Sequence, residues 1–270
     1  MMKRNKYCMG VVLYNPSFED LLKIDEYAYS KLFDQIYIYD NSPKRISYSF
    51  KNPICYYKFQ NENSGLAKPY NEMILRAEQN QIDYLCIMDQ DSSFKADEIS
   101  KLQDAINVYG DSSSVAAFCP TILKKGFEEH LRQPVWQAVD WEINSGTFLN
   151  IKCLQQYRLN YDENIFLDGL DYDFCWTVRR KGCSIMQYSD SILAQSFGYQ
   201  LKEKQTFTYH NAFRYYLIAH NRKYIFKKHF GKICGLCYAQ LKNVGLLIKI
   251  LMREEDKLNK FKSCLKGILR

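Results

Sequence analysis

The first 120 residues alternate short apolar runs with amphipathic stretches. Four of the apolar runs predict buried strands, at 7–14, 35–40, 54–59 and the start of 83–94. Between them, apolar residues at helical spacing predict helices, the first of which begins with a capping box of Ser17 and Asp20. Strands that alternate with helices are typical of βαβ units, so we predict an α/β fold with a mainly parallel sheet.

The pattern changes near residue 200, where we place a domain boundary. Residues 221–270 contain thirteen Lys or Arg and three acidic residues, a balance of +10, whereas residues 1–220 have a balance of −3. Leucines and isoleucines recur at helical spacing among these lysines. We therefore predict an α/β domain over 1–200 and a helical, amphipathic and basic extension over 201–270. No run of 18 apolar residues occurs, so we expect no segment to span a membrane by itself.

The composition suits one sizeable core with an appendage. Of the 270 residues, 47% are hydrophobic. The ten cysteines mostly lie in apolar runs and have no spacing that suggests a disulfide framework, so we expect a reducing, cytoplasmic compartment. The CGLC segment at 234–237 has only His229 near it in sequence, and a zinc or redox site is therefore not favoured there.

Polar residues follow each of the four predicted strands. In chain order they are Asn15, then Asp40 and Asn41, then Asn63, Gly65 and Asn71, and finally Asp89 and Asp91. Each is individually well explained as a turn residue. Together they would lie at the carboxyl ends of the strands, where open α/β sheets bind ligands. The Asp89–Asp91 pair is also suited to Mg²⁺ or Mn²⁺ that carries a phosphate. No G-x-G-x-x-G or G-x-x-x-x-G-K-[ST] segment occurs, so a dinucleotide-binding or P-loop protein is not supported.

A second acidic cluster lies in the segment NIFLDGLDYDFCWTVRRKGCSI. Asp168, Asp171 and Asp173 stand in front of a predicted helix that ends at Gly182. Acidic residues at a helix start complement the helix dipole, which is the simpler explanation. A partly buried carboxylate of this group could instead serve as a general base.

Six segments in this order resemble the successive motifs of family 2 glycosyltransferases, specifically the bacterial rhamnosyltransferase-like branch. They are VVLYNP, YDNS, NSGLAKPYN, MDQDSSF, INSGTFLN and FLDGLDYDFCWTVRRKG, and they cover roughly residues 7 to 200. The resemblance implies a GT-A fold, a nucleoside-diphosphate sugar donor, a divalent Mg²⁺ or Mn²⁺ ion, and inversion at the anomeric carbon.

The resemblance also implies roles for single residues. Asp171 would be the base, Asp40 would contact the nucleotide base, and Asp89 and Asp91 would hold the ribose and the metal-bound diphosphate. The other expected donor-side residues are Asn15, Asn41, Asn63, Gly65 and Asn71, and those expected on the acceptor side are Trp136, Trp141, Asp168 and Asp173. For the two tryptophans, a place in the core is an equally good explanation. Gln195 stands where the family usually has a histidine and would be a weak metal ligand.

For the donor, the resemblance favours dTDP-rhamnose, with galactofuranose or another sugar on UDP as the alternative. The expected acceptor is a lipid-linked glycan of a surface polysaccharide such as capsule or O-antigen. The basic extension would hold the enzyme at the inner face of the cell membrane, or else pack on the catalytic domain or form a homodimer. Nucleic acid is not expected as a partner, because no recognised nucleic-acid motif occurs. A nucleotidyltransferase or a non-catalytic carbohydrate-binding protein stays open as an alternative.

Overall fold

A computed structural model of the chain describes residues 4–124, 133–195 and 210–270. In these residues the strands are β1 (Tyr7–Leu13), β2 (Gln35–Asp40), β3 (Cys55–Phe59), β4 (Tyr84–Asp89), β5 (Val115–Lys124), β6 (Trp136–Ala138), β7 (Thr147–Asn150) and β8 (Ser184–Gln195). The helices are α1 (Phe18–Tyr29), α2 (Ala67–Gln79), α3 (Ala96–Asn107), α4 (Ile151–Tyr157), α5 (Leu170–Arg180), α6 (Ala212–Phe230), α7 (Lys232–Arg253) and α8 (Lys257–Leu269).

The strands form one sheet in the order β3-β2-β1-β4-β7-β5-β8-β6. β1 pairs in parallel with β2 and with β4, and β2 pairs in parallel with β3. β7 is antiparallel to β4 and β5, and β6 is antiparallel to β8. The predicted α/β fold with a mainly parallel central sheet is therefore confirmed. The chain order reverses at β1, which separates β2 from β4, and such a reversal is where open α/β sheets form a binding crevice.

The sequence pattern accounts for the first half of this sheet. All seven residues of β1 are buried, as expected for a central parallel strand that is covered on both faces. The predicted capping box at α1 is present: the Ser17 hydroxyl accepts from the Asp20 amide at 3.2 Å, and the Asp20 carboxylate accepts from the Ser17 amide at 2.8 Å. α5 ends two residues before Gly182, whose φ of +75° explains the glycine there.

The chain divides into two compact units. The α/β unit comprises Met1–Glu163 and Phe174–Gln195, and the helical unit comprises Asn164–Asp173 and Ser196–Arg270. The predicted domain boundary near residue 200 lies outside the described residues. The sequence division did not anticipate that the short segment Asn164–Asp173 groups with the C-terminal helices.

Within the helical unit, α6, α7 and α8 pack around a small core. Tyr215, Ala219, Ile250 and Cys264 are completely buried. A side chain at Gly235 would place its Cβ 2.2 Å from the carbonyl oxygen of Phe226, so the crossing of α6 and α7 requires a glycine. The extension is thus a folded unit and not a set of separate amphipathic helices.

α7 has the length and composition of a helix that could cross a membrane, although most of its surface is exposed. The expectation that no segment qualifies rested on unbroken apolar runs. Lys242 and Lys249 interrupt the apolar run of α7, but they leave its average apolar character high enough over 18 residues. By length and composition alone, the expectation that no segment could span a membrane is therefore wrong for α7.

Candidate active site

Asp40 and Asp89 lie on opposite sides of the end of β1. In the parallel register Leu13 of β1 pairs with Asp40, the last residue of β2, and Val12 pairs with Asp89, the last residue of β4. Asn15 follows β1 by two residues, with a φ of +46°. Asn tolerates this left-handed conformation better than most residues do. The fold therefore brings together three of the residues predicted on the donor side.

The carboxylate of Asp40 is fully buried and is satisfied within the protein. It accepts hydrogen bonds from the Ser42 amide at 2.9 Å, from the Ile46 amide at 3.3 Å and from the Tyr57 hydroxyl at 2.5 Å. Burial, and then the hydrogen bond to this carboxylate, raise the pKa of Tyr57, so its hydroxyl stays protonated and donates. The observed role of Asp40 is to fix the loop after β2, and a contact to a nucleotide base stays a prediction.

The loop after β2 also contains Asn41 and Ser42, which bind the neighbouring turns through hydrogen bonds. The Asn15 amide donates to the Ser42 hydroxyl at 2.9 Å, and the Asn41 side-chain amide donates to the carbonyl of Gly65 at 2.7 Å. Asn63 in turn accepts from the Gly65 amide at 3.2 Å. Asn41 Oδ1 is buried and has no hydrogen-bond partner among the described residues, so its capacity as an acceptor is unused by the protein. These bonds join the turns that follow β1, β2 and β3.

Asn71 uses both ends of its amide to hold another loop of the α/β unit. Its nitrogen donates to the carbonyl of Tyr161 and to the Glu163 carboxylate, both at 2.9 Å, and its oxygen accepts from the Tyr161 amide at 2.9 Å. The Tyr161 hydroxyl donates to Asn144 at 2.8 Å, and its ring stacks on Phe174. The observed role of Asn71 is therefore to position residues 161–163, and a direct donor contact stays a prediction.

Gln90, which stands between Asp89 at the end of β4 and Asp91, has a structural role of its own. Its side chain accepts from the Tyr14 amide at 2.7 Å and donates to the Tyr14 carbonyl at 3.3 Å, as a neighbouring backbone would. This pair of bonds fastens the turn after β4 to the turn after β1. The Asp89 amide donates to the Ser145 hydroxyl at 3.2 Å, while Asp91 is exposed. The turn is thus fixed on both sides, and Asp91 faces solvent.

The carboxylates of Asp89 and Asp91 suit a divalent cation that binds together with a diphosphate better than a metal ion held by the protein alone. Among the described residues, no group of three or more His, Cys, Asp or Glu could hold a metal. Mg²⁺ is commonly held by one or two carboxylates together with substrate phosphates, and Asp89 and Asp91 supply that number. Gln195 ends β8, but its side chain lies outside the part of the chain that the structure describes.

The two tryptophans predicted on the acceptor side differ in environment. The ring of Trp136 packs against Tyr109, Phe118 and Tyr188, with centroid distances of 5.2, 5.2 and 4.8 Å. For Trp136, these contacts favour the alternative explanation, a place in the hydrophobic core. Trp141 is 47% exposed, and this exposed surface can still contact a sugar ring.

The three acids of the second cluster are not equivalent. Asp168 forms an ion pair with Arg214. Asp173 forms an ion pair with Lys228 and contacts His229 Nε2 at 2.8 Å, and both carboxylates are at least nine-tenths buried. The expected acceptor-side role of these two acids has no support in this geometry. Asp171 lies between them in the first turn of α5 and is half-buried. It belongs to the helical unit, whereas Asp40, Asp89 and Asp91 belong to the α/β unit.

Sequence patterns did not identify the residues that form hydrogen bonds with Asp40, Asp89, Asp168 and Asp173. Ser145 lies within INSGTFLN, one of the segments that resemble the family's motifs, so a signal for it was present. Tyr57, Arg214 and His229 carry no local signal, because each contacts its acid over 17 to 56 residues of sequence.

Comparisons with known proteins agree on the fold. The family model described as glycosyl transferase family 2 matches residues 17–184. S. aureus TarS 1-349 in complex with UDP-GlcNAc is 12% identical, with a TM-score of 0.57 over 96% of this chain and 79% of that chain. GalNAc-T7 with UDP, GalNAc and Mn2+ is 10% identical, with a TM-score of 0.54 over 83% of this chain and 51% of that chain. No curated protein sequence matches the chain.

Proposed function

Because the chain belongs to glycosyl transferase family 2, we propose that it is an inverting transferase that moves a sugar from a nucleoside-diphosphate donor to a glycan hydroxyl. The observation that supports the donor side most directly is the placement of Asp40 and Asp89 beside β1 at the reversal of the sheet order. That is the binding crevice of open α/β sheets. The exposed carboxylate at Asp91 suits a divalent ion that is carried by a diphosphate.

On the donor side, we propose that Asp89 binds the ribose and that Asp91 binds a divalent ion together with the diphosphate. Bound there, Mg²⁺ or Mn²⁺ would neutralise the charge that grows on the departing diphosphate. GalNAc-T7 was crystallised with Mn2+, which supports a divalent ion for this fold. Hydrogen bonds of Gln90 and Ser145 fix the backbone of the turn that carries the two carboxylates.

On the acceptor side, we propose that Asp171 removes the proton of the attacking hydroxyl. The sugar carbon C1 has oxocarbenium character in the transition state, so the oxygen must become nucleophilic as the leaving group departs. The side chains of Asp168 and Asp173 are at least nine-tenths buried, whereas Asp171 is half-buried and so more accessible to an acceptor.

The sugar that we propose first is rhamnose on dTDP, from the resemblance of the motifs. A UDP-sugar is the second candidate, because both TarS and GalNAc-T7 were crystallised with UDP or a UDP-sugar. For the acceptor we propose a lipid-linked glycan of a surface polysaccharide such as capsule or O-antigen.

The place of action that we propose is the cytoplasmic face of an anionic membrane. Large apolar residues are exposed along one side of α7: Ile233, Leu241, Val244, Ile248 and Met252. The +10 balance of residues 221–270 is complementary to an anionic leaflet, and each basic residue near it contributes about 1 kcal/mol. A second copy of the chain is the alternative occupant of this side of α7.

A panel of nucleotide sugars tests the proposed reaction. The purified protein is incubated with dTDP-rhamnose, UDP-galactofuranose or UDP-GlcNAc, with Mn²⁺ or with excess EDTA, and release of the nucleoside diphosphate is measured. We expect release from one donor, lost in EDTA and in Asp91→Asn. A separate incubation with a nucleoside triphosphate and a sugar 1-phosphate tests for a nucleotidyltransferase, which would release pyrophosphate from that mixture. No release of nucleoside diphosphate from any donor, with or without an acceptor glycan, would contradict the proposal.

A further inference from the structure

We propose that α6 positions the catalytic-base segment, Asn164–Asp173, through a stripe of side chains that clamps it on both sides of Asp171. This inference rests on the proposed role of Asp171 as the base. Its first support is that the segment belongs to the same compact unit as α6, although its sequence neighbours on both sides belong to the α/β unit. A structural reason must therefore hold it there.

The first clamp acts on Asp168, three residues before Asp171. The Arg214 guanidinium donates through Nε to both carboxylate oxygens, at 3.1 and 3.3 Å, and through Nη2 to Oδ1 at 2.6 Å. The Asn221 side chain donates to the main-chain carbonyl of Asp168 at 2.9 Å. Both the side chain and the backbone of Asp168 are thus fixed by α6, and a guanidinium fork fixes direction as well as distance.

The second clamp acts on Asp173, two residues after Asp171. Its carboxylate accepts from Lys228 Nζ at 2.8 Å and contacts His229 Nε2 at 2.8 Å, and the side chains of Asp173 and His229 are 2% and 3% exposed. A buried carboxylate is costly unless it is paired, so this contact strongly favours one placement of the start of α5.

The backbone between the clamps also lies against α6. Gly169 has a φ of +94°, and a Cβ there would lie 2.6 Å from Ile225 Cδ1. Further upstream, Asn164 donates to the hydroxyl of Tyr224 at 3.3 Å. Contacts therefore occur from the first residue of the segment to the last, and Asp171 lies inside them.

The contacting residues of α6 form one face of that helix. Arg214, Asn221, Ile225 and Lys228 are spaced by seven, four and three residues, which returns to the same side of an α-helix each time. Tyr215 and Ala219, on another side, are buried in the core of the helical unit. A helix that is fixed in its own core and presents this stripe can hold the segment rigidly.

The rate of proton removal depends strongly on how precisely the general base is positioned. A general base must lie within hydrogen-bond reach of the proton that it removes, and a shift of about 1 Å can lower a rate by about 10²-fold. Arg214 touches no reacting atom in this proposal. It is a positioning residue, and it acts through Asp171.

The test is a double-mutant cycle between Arg214 and Asp171. Arg214→Met keeps much of the side-chain length but removes the fork, Arg214→Lys retains the charge, and Lys227→Met on the exposed side of α6 is the matched control. We expect Arg214→Met to lower kcat by about 10-fold to 10²-fold, with KM for the donor little changed. Because the buried Asp168 carboxylate loses its partner, the thermal unfolding midpoint should also fall, so the rates are compared at a temperature at which both proteins are folded. Arg214→Lys should recover part of the loss, and Lys227→Met should behave as wild type.

The decisive comparison is in the Asp171→Asn background. If Arg214 acts through the base, Arg214→Met costs little further activity there. An equal loss in both backgrounds, or wild-type kcat for Arg214→Met, would overturn the positioning role. If Arg214→Met does not fold, Asn221→Ala and Arg214→Lys are measured in the same cycle with the same criterion. Wild-type turnover of Asp171→Asn would instead contradict the proposed base, whatever Arg214 does.

Discussion

Tyr57→Phe removes the hydroxyl that donates a hydrogen bond to Asp40, the most deeply buried carboxylate of the candidate site. Asp40 is fully buried and accepts three hydrogen bonds, and the Tyr57 hydroxyl supplies the only one of them that comes from a side chain. Hydrogen bonds to charged groups contribute about 1.5–3 kcal/mol. Since the two backbone amides remain, we expect the free energy of unfolding of the α/β unit to fall by about 2 kcal/mol.

The assay is urea denaturation followed by intrinsic fluorescence, with Tyr56→Phe as the control. Tyr56 is the preceding residue of β3, and its ring lies 3.3 Å from the Arg76 guanidinium carbon, a contact that phenylalanine retains. We expect the midpoint to fall for Tyr57→Phe and to stay near wild type for Tyr56→Phe. Because Asp40 also fixes the loop that bears Asn41 and Ser42, the affinity for the donor nucleotide should fall as well. Equal midpoints for the two variants would refute the view that this carboxylate depends on the tyrosine.

Three further predictions concern the reaction and its location. Asp91→Asn should abolish metal-dependent donor turnover with unchanged circular dichroism, whereas Asp97→Asn in the first turn of α3 should not; turnover in excess EDTA would contradict the assignment. Asp171→Asn should lower transfer by about 10²-fold to 10⁴-fold without weakening donor binding in calorimetry, and a larger loss in Asp168→Asn at wild-type stability would mean that Asp168 is the base. Ile248→Glu should reduce flotation with anionic liposomes at low salt; if it instead shifts a dimer to a monomer in sedimentation, a second copy covers α7.

Local pattern was sufficient for the elements that present the donor side. β2 spans the six residues that its apolar run predicts, and the capping box of α1 forms as expected. The reason is that strand burial and helix caps depend on residues within a few positions of one another. The same local signals are enough to predict that Asp89 and Asp91 lie at the carboxyl end of β4.

Pattern was insufficient where the partner of a side chain is distant in sequence. Trp136 lies in a segment that resembles an acceptor loop, but its ring packs against Phe118 of β5 and Tyr188 of β8. The amide of Asn71 holds residues 161–163, ninety positions away. Sequence spacing gives the type of chemistry available, and only the fold determines which polar groups are already used by the protein.

The second acidic cluster shows why this distinction bears on mechanism. Three carboxylates within six residues would repel one another in a helix start, where the helix dipole compensates only part of their charge. Here Arg214 neutralises the first acid, and Lys228 and His229 contact the last. The outer acids thus anchor the segment to α6, and their carboxylates are already engaged by these contacts. Asp171 lies between two fixed points, so a proton acceptor there would gain its geometry from neighbours that take no part in the proton transfer.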